Sequence, residues 1–149
     1  MGTKQKLEAG LKDAMKSKND LIKRTVRLVI SAIKMAEIDN RDEINEETVI
    51  SIVQKEIKSR MESIDAAKTA KRDDLIEEYS SELEVLKTFL PEQLSEEEVQ
   101  AIVNTVIEET GAQGIKDMGN VMKNTLPRIK GQAPNSIVSK IVKEVLINK

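Results

Sequence analysis

Cysteine, histidine and tryptophan are absent from the 149 residues, and Tyr79 and Phe89 are the only aromatic side chains. Without thiol or imidazole there is no cysteine nucleophile, no histidine general base, no disulfide scaffold and no Cys/His zinc site. With only three prolines, long helices go largely uninterrupted. The longest nearly pure apolar stretch, Val26 to Ala36, carries Arg27, Ser31 and Lys34, and falls far short of a membrane span. The first twenty residues hold no apolar run of signal-peptide length. A cytoplasmic protein with no membrane partner is the expectation. An excess of one charge is lacking too. The 24 basic and 26 acidic residues leave a formal net charge of −2, which argues against a general polyanion binder.

What is present is helical periodicity. Hydrophobic residues make up 39% of the chain, enough for a core and too many for a disordered polypeptide. Leu7, Leu11 and Met15 recur every four residues and mark a first helix. Asn19-Asp20 supplies a turn and an N-cap for a second, in which Ile22, Val26, Val29, Ile33 and Ala36 form one stripe. Leu21, Leu28, Ala32 and Met35 widen that stripe, so this helix is expected to be central and buried on two sides. Asn45 caps a third helix along Ile50, Val53, Ile57, Met61 and Ile64, which bends, or ends and restarts, near Asp73. Leu75, Tyr79, Leu83, Leu86 and Leu90 form the next stripe, which Pro91 closes.

Ser95 and Glu98 then make a capping box, and Gly111 stops the helix that follows. Asp117 opens a helix that is expected to break near Pro127, and Ile137 to Ile147 forms the last. Met118 and Met122 read as core filler. The expected fold class is all-α. Residues 1–91 form an N-terminal domain of about four helices, and residues 92–149 form a smaller domain of three. By size alone the second is the less stable.

Few residues suggest chemistry. Ser31 and Lys34 have the spacing of a Ser–Lys dyad, but the companion motifs of such enzymes are missing. The carboxylates at Asp73-Asp74, Glu77-Glu78 and Glu96 to Glu98 fall on outer faces and first turns, where solvation and capping explain them. Gly111 and Gly114 have the two-glycine spacing of a nucleic-acid clamp without its strand context, so a helix stop is the better reading. No catalytic residue, metal ligand or cofactor is assigned.

Charge is distributed more tellingly. Pro91 to Thr110 carries six acids and no base. Gly111 to Lys149 carries seven bases and two acids, a surplus of five, together with four of the six glycines. A basic, glycine-punctuated end can grip phosphates. The candidate contacts are Lys116, Lys123, Arg128, Lys130, Lys140 and Lys143. Without aromatics beyond Gly111, base stacking is excluded, so binding would use phosphates and RNA shape.

Several segments resemble the GatB/YqeY family, essentially over the whole chain. They include Leu11-Lys-Asp-Ala-Met-Lys16, Thr25-Val-Arg-Leu28, Val53-Gln-Lys-Glu-Ile-Lys58, Glu82-Leu-Glu-Val-Leu86, Phe89-Leu-Pro-Glu-Gln-Leu94-Ser95, Lys116-Asp-Met-Gly-Asn-Val-Met122 and Ile141-Val-Lys-Glu-Val-Leu146. The resemblance implies a two-part helical protein of bacterial type. Its C-terminal part is similar to the tail of the B subunit of tRNA-dependent amidotransferase, which contacts the tRNA body. The amidotransferase chemistry belongs to domains this sequence lacks. A carbon–nitrogen ligase label with glutamine as amide donor would thus be inherited, and no residue here supports it. Where many relatives carry Ala-Asp-Gly-Lys after the Gly131 turn, this chain reads Gln132-Ala-Pro-Asn-Ser136. The first functional reading is a non-catalytic protein that binds tRNA or another structured RNA through its basic C-terminal domain. The alternative is an adaptor that binds protein, in an amidotransferase or synthetase complex, through an apolar helix face.

Overall fold

The computed structural model describes residues 2–149. It contains α1 (Thr3–Ser17), α2 (Asp20–Asn40), α3 (Glu46–Thr69), α4 (Asp73–Lys87), α5 (Glu96–Thr110), a single 3-10 turn (Ile115–Asp117), α6 (Met118–Ile129) and α7 (Asn135–Ile147). No strand occurs among the described residues, and the fold is all-α, as the periodicity predicts. The chain divides into two compact units, Met1–Leu90 with four helices and Pro91–Lys149 with three.

The helices start where short polar side chains satisfy unpaired backbone amides. Asn19 Oδ1 accepts from the Ile22 amide at 3.1 Å, and Asn45 Oδ1 from the Thr48 amide at 2.8 Å. Ser95 and Glu98 form the reciprocal capping box, at 3.1 and 3.2 Å. The N-terminus of α1 is capped from a distance. The Thr3 amide donates to both carboxylate oxygens of Glu46 at 3.0 Å, and the Thr3 hydroxyl donates to the same group. That arrangement pins α1 to the start of α3.

In the first unit, Leu7, Val26, Val29, Ile33, Val49, Val53 and Leu86 form the buried cluster. Gly10 lets α1 approach closely, since a Cβ there would lie 3.0 Å from the Phe89 ring. α3 and α4 form a helical hairpin, with the restart at Asp73 that the sequence suggests. Its near half shares the common core through Val49, Val53 and Leu86, whereas Ala67 is the one buried apolar residue of its far half.

The expectation for α2 needs correction. Its inner stripe, Val26, Val29 and Ile33, is buried, but Leu28 and Met35 of the second stripe are exposed, as is Ile38. Helices α1, α3 and α4 all pack against α2 from the inner side. Three neighbours of this kind leave the opposite face to solvent.

In the second unit, α5, α6 and α7 all pack on one another. The core is aliphatic: Val99, Val103, Val106, Ile107, Val121, Ile129, Val138, Ile141, Val142 and Leu146, with Ala112 and Ala133. Met118 and Met122 pack against it, as the filler reading has it. The segment before α5 is tied to the α6–α7 turn by the Leu94 amide on the Gln132 carbonyl at 2.8 Å and the Gln93 side chain on the Gly131 carbonyl at 3.2 Å. The predicted break at Pro127 does not occur, because α6 runs on to Ile129. Pro127 sits in the last turn, where its missing N–H costs a single intrahelical bond.

Candidate nucleic-acid interface

All six predicted phosphate contacts are exposed: Lys116, Lys123, Arg128, Lys130, Lys140 and Lys143. At ~100° per residue, Lys140 and Lys143 lie within about 60° of each other on α7. They share that face with Ser136, opposite buried Val138 and Val142. Lys123 lies on the outer face of α6, and Lys130 is the residue that caps its C-terminus. Lys116 stands apart on the 3-10 turn that precedes α6.

Arg128 is turned away from this group. It lies about 140° around α6 from Lys123, on the flank toward α5, where its guanidinium forms an ion pair with Glu109. Nothing in the sequence points to this pair, because the two residues are 19 positions apart on different helices. None of the five lysines forms an ion pair among the described residues.

The turn after α6 also differs from a phosphate nest. Lys130 closes the helix in the left-handed region at φ 51°, followed by Gly131 at φ 76°. The amides of Lys130 and Gln132 already donate to the Leu126 and Ile129 carbonyls. These two amides are therefore engaged within the turn rather than presented to an anion.

The other sequence candidates stay isolated. Ser31 and Lys34 are both exposed on the outer face of α2 and share no hydrogen bond. Gly111 is the left-handed C-cap of α5 at φ 69°, and Gly114 has an extended backbone. Asp74 binds the Arg72 guanidinium at 3.0 Å. The hydrogen bond from Arg72 holds its carboxyl below its ordinary value. Lys4 is shifted the other way, its amine raised chiefly by the hydrogen bond to Glu37. Both are surface pairs. Among the described residues no three carboxylates gather to hold a metal ion, and no helix is long and apolar enough to cross a membrane.

The sequence pattern of Yqey-like proteins matches residues 4–146. Similar proteins include the "Altered inheritance of mitochondria protein 41, mitochondrial" of Pyrenophora tritici-repentis, 34% identical over 95% of this chain and 79% of the relative. Its namesakes from Vanderwaltozyma polyspora and Kluyveromyces lactis are 33% and 32% identical, each over 91% of this chain and 78% and 77% of the relative. These relatives are fungal and named as mitochondrial, which overturns the expectation of a bacterial, cytoplasmic protein. The cytoplasmic expectation rested on missing export and membrane signals, whose absence does not separate cytosol from organelle, and the bacterial one on the family resemblance. The family itself is clear. A match over nearly the whole chain, with relatives more than 30% identical of which it covers over three quarters, makes this chain a member of the YqeY-like protein family.

Proposed function

We propose that the chain is a non-catalytic protein whose C-terminal unit binds a folded RNA through its phosphates. One observation carries the reading. Lys116, Lys123, Lys130, Lys140 and Lys143 are exposed on α6, α7 and the turn before them, and none is neutralised by a carboxylate of the unit. Unpaired surface cations release counterions from a nucleic acid when they meet it, which is the main source of such affinity. Ser136 adds a hydroxyl beside Lys140 and Lys143, near the positive end of the α7 dipole. Among folded RNAs the proposal names tRNA, which is what the resemblance read from the sequence of residues 92–149 implies. Arg128 ranks behind the lysines, since RNA must first compete with Glu109 for it.

The test is tRNA binding by fluorescence anisotropy across a salt series. Each lysine–phosphate pairing that a substitution removes lowers the slope of log affinity against log salt by roughly 0.7 to 0.9. Replacing Lys130, Lys140 and Lys143 with Gln is expected to flatten the slope by about 2 to 3 units, alike for different folded RNAs. Arg128→Gln is expected to change it less than any one of these. The proposal fails if the wild-type chain shows no salt-sensitive binding at low ionic strength, or if the triple variant binds as wild type.

A further inference from the structure

The outer face of α2 is the most unusual surface of the molecule. Leu28, Met35 and Ile38 are 49%, 60% and 69% exposed. Single exposed apolar residues need no explanation, but three on one face of one helix do. With Ser31 they are spaced by three, four and three residues, the repeat of a helix that pairs with another helix. They fall within about 80° of each other. The seam from Leu28 to Ile38 is about 15 Å long, and it lies opposite the buried Val26, Val29 and Ile33.

Positive charge borders this seam along one side. Lys23, Arg27 and Lys34 follow its edge, and none of them forms an ion pair among the described residues. Arg24, by contrast, is bound to Glu78 and Glu82. A shallow hollow lined by Asp20, Lys23, Arg24, Arg27, Leu28 and Ser31, three bases to one acid, marks the N-terminal end of the seam.

We infer that this face docks an amphipathic helix of another protein, with apolar residues at i, i+3/i+4 and i+7 and carboxylates along the edge that meets Lys23, Arg27 and Lys34. The apolar stripe would cover Leu28, Met35 and Ile38, where methionine adapts well to a partner's shape. Charge complementarity selects this occupant. A second copy fits poorly. Two α2 helices paired antiparallel about a twofold axis bring the same edge of each together, so the positive edge of Arg27 and Lys34 in one copy meets the same positive edge of the other. The inference is independent of the RNA reading, which concerns the other unit.

The probe is a synthetic 21-residue helix with leucine on one stripe and glutamate along its edges, and a second version with lysine in place of glutamate. Binding to the full chain is read by anisotropy. The glutamate peptide is expected to bind about tenfold or more tightly than the lysine peptide. Met35→Ser with Ile38→Ser is expected to abolish its binding. Arg27→Glu with Lys34→Glu is expected to reverse the preference between the peptides. All four positions are exposed, so the variants should fold, and circular dichroism checks this. Their salt-dependent tRNA binding should match wild type. Four results would each overturn the inference: no binding of the glutamate peptide, equal binding of both peptides, a wild-type dimer that Met35→Ser dissociates, or binding to phosphatidylglycerol vesicles lost in the Met35→Ser, Ile38→Ser variant.

Discussion

The two units solve the problem of charge in opposite ways. Met1–Leu90 holds all but one of the ion pairs found among the described residues, and one of them reaches its interior. Glu82 is buried with its carboxylate bound by Arg60 at 2.7 Å and by Arg24 at 3.1 Å. Pro91–Lys149 holds a single pair, Arg128 with Glu109, and its core is wholly aliphatic apart from Thr125. Thr125 satisfies its hydroxyl locally, on the Val121 carbonyl. The first unit ties its charges to one another. The second packs with one, and leaves its six lysines without an ion pair among the described residues.

Apolar surface is divided the other way. Of the buried hydrophobic residues, 12 fall among the 59 residues of the second unit and 10 among the 90 of the first. Size alone made the second unit the weaker. Core density argues against that, since each fully buried Val, Leu or Ile contributes about 1.5–3 kcal/mol. The first unit exposes Met15, Leu28, Met35, Ile38 and Met61, whereas the second exposes Ile115 and Ile147. A unit that leaves large apolar side chains outside while holding a buried carboxylate depends on that carboxylate's partners.

Removing Glu82 breaks the comparison most directly. Glu82→Ala leaves Arg60, 13% exposed at its side chain, with only Glu56 at 3.7 Å. Breaking a buried pair costs about 3–5 kcal/mol, and the solvent exposure of Arg24 lowers the expected loss to about 2–3 kcal/mol. Hydrogen exchange read by peptide should show faster opening in α2, α3 and α4 and no change in α5, α6 and α7. Uniform loss of protection across both sets would mean that the two units unfold as one.

These contrasts were unevenly legible in the sequence. Elements were readable wherever the signal was local. Asn19, Asn45 and Ser95 announce their helices because each cap bonds to an amide three residues on. Helix ends were harder, because α1, α2 and α6 stop on Lys18, Arg41 and Lys130 in the left-handed region where glycine is the usual sign. Their positive charge suits the negative end of the helix dipole, a compensation that periodicity does not reveal. Exposure of the candidate phosphate contacts was readable, since a lysine opposite an apolar stripe points outward. Two features depended on tertiary contacts and were not: the capture of Arg128 by Glu109, and the outward face of α2. An apolar stripe in a sequence looks the same whether a neighbouring helix covers it or not.

Ser95 sharpens the comparison from the side of the second unit. With so few polar interactions there, the capping box is its main polar contribution at a helix start. Ser95→Ala should cost about 1 kcal/mol, confined to α5, α6 and α7 in the same exchange experiment. The effect stays below that of Glu82→Ala because the orphaned amide of Glu98 is exposed and turns to water. A loss as large as that of Glu82→Ala would mean that the aliphatic core contributes less than its density implies.

The smallest effect concerns surface pairs of the first unit and is visible only through pH. The Asp74 carboxyl is held below its ordinary value by its hydrogen bond from Arg72. A lowered carboxylate pKa means that the folded state binds its proton less readily than the unfolded chain does. Its stabilisation is thus present above the ordinary carboxylate value and is lost as pH falls through the lowered one. Lys4 mirrors it, since its raised amine stabilises below the ordinary lysine value and ceases to as pH rises through the raised one. Asp74→Asn should therefore lower the urea midpoint slightly at pH 6, and the gap to wild type should close as pH falls below the ordinary carboxylate value and through the lowered one. Lys4→Met should show its gap at pH 6 and lose it as pH rises past the ordinary lysine value and through the raised one. Both pairs are open to solvent, so both gaps should also shrink in 1 M salt. A gap for Asp74→Asn that widens on acidification would reverse the sign of the linkage, and would remove this pair from the interactions by which the first unit ties up its charge.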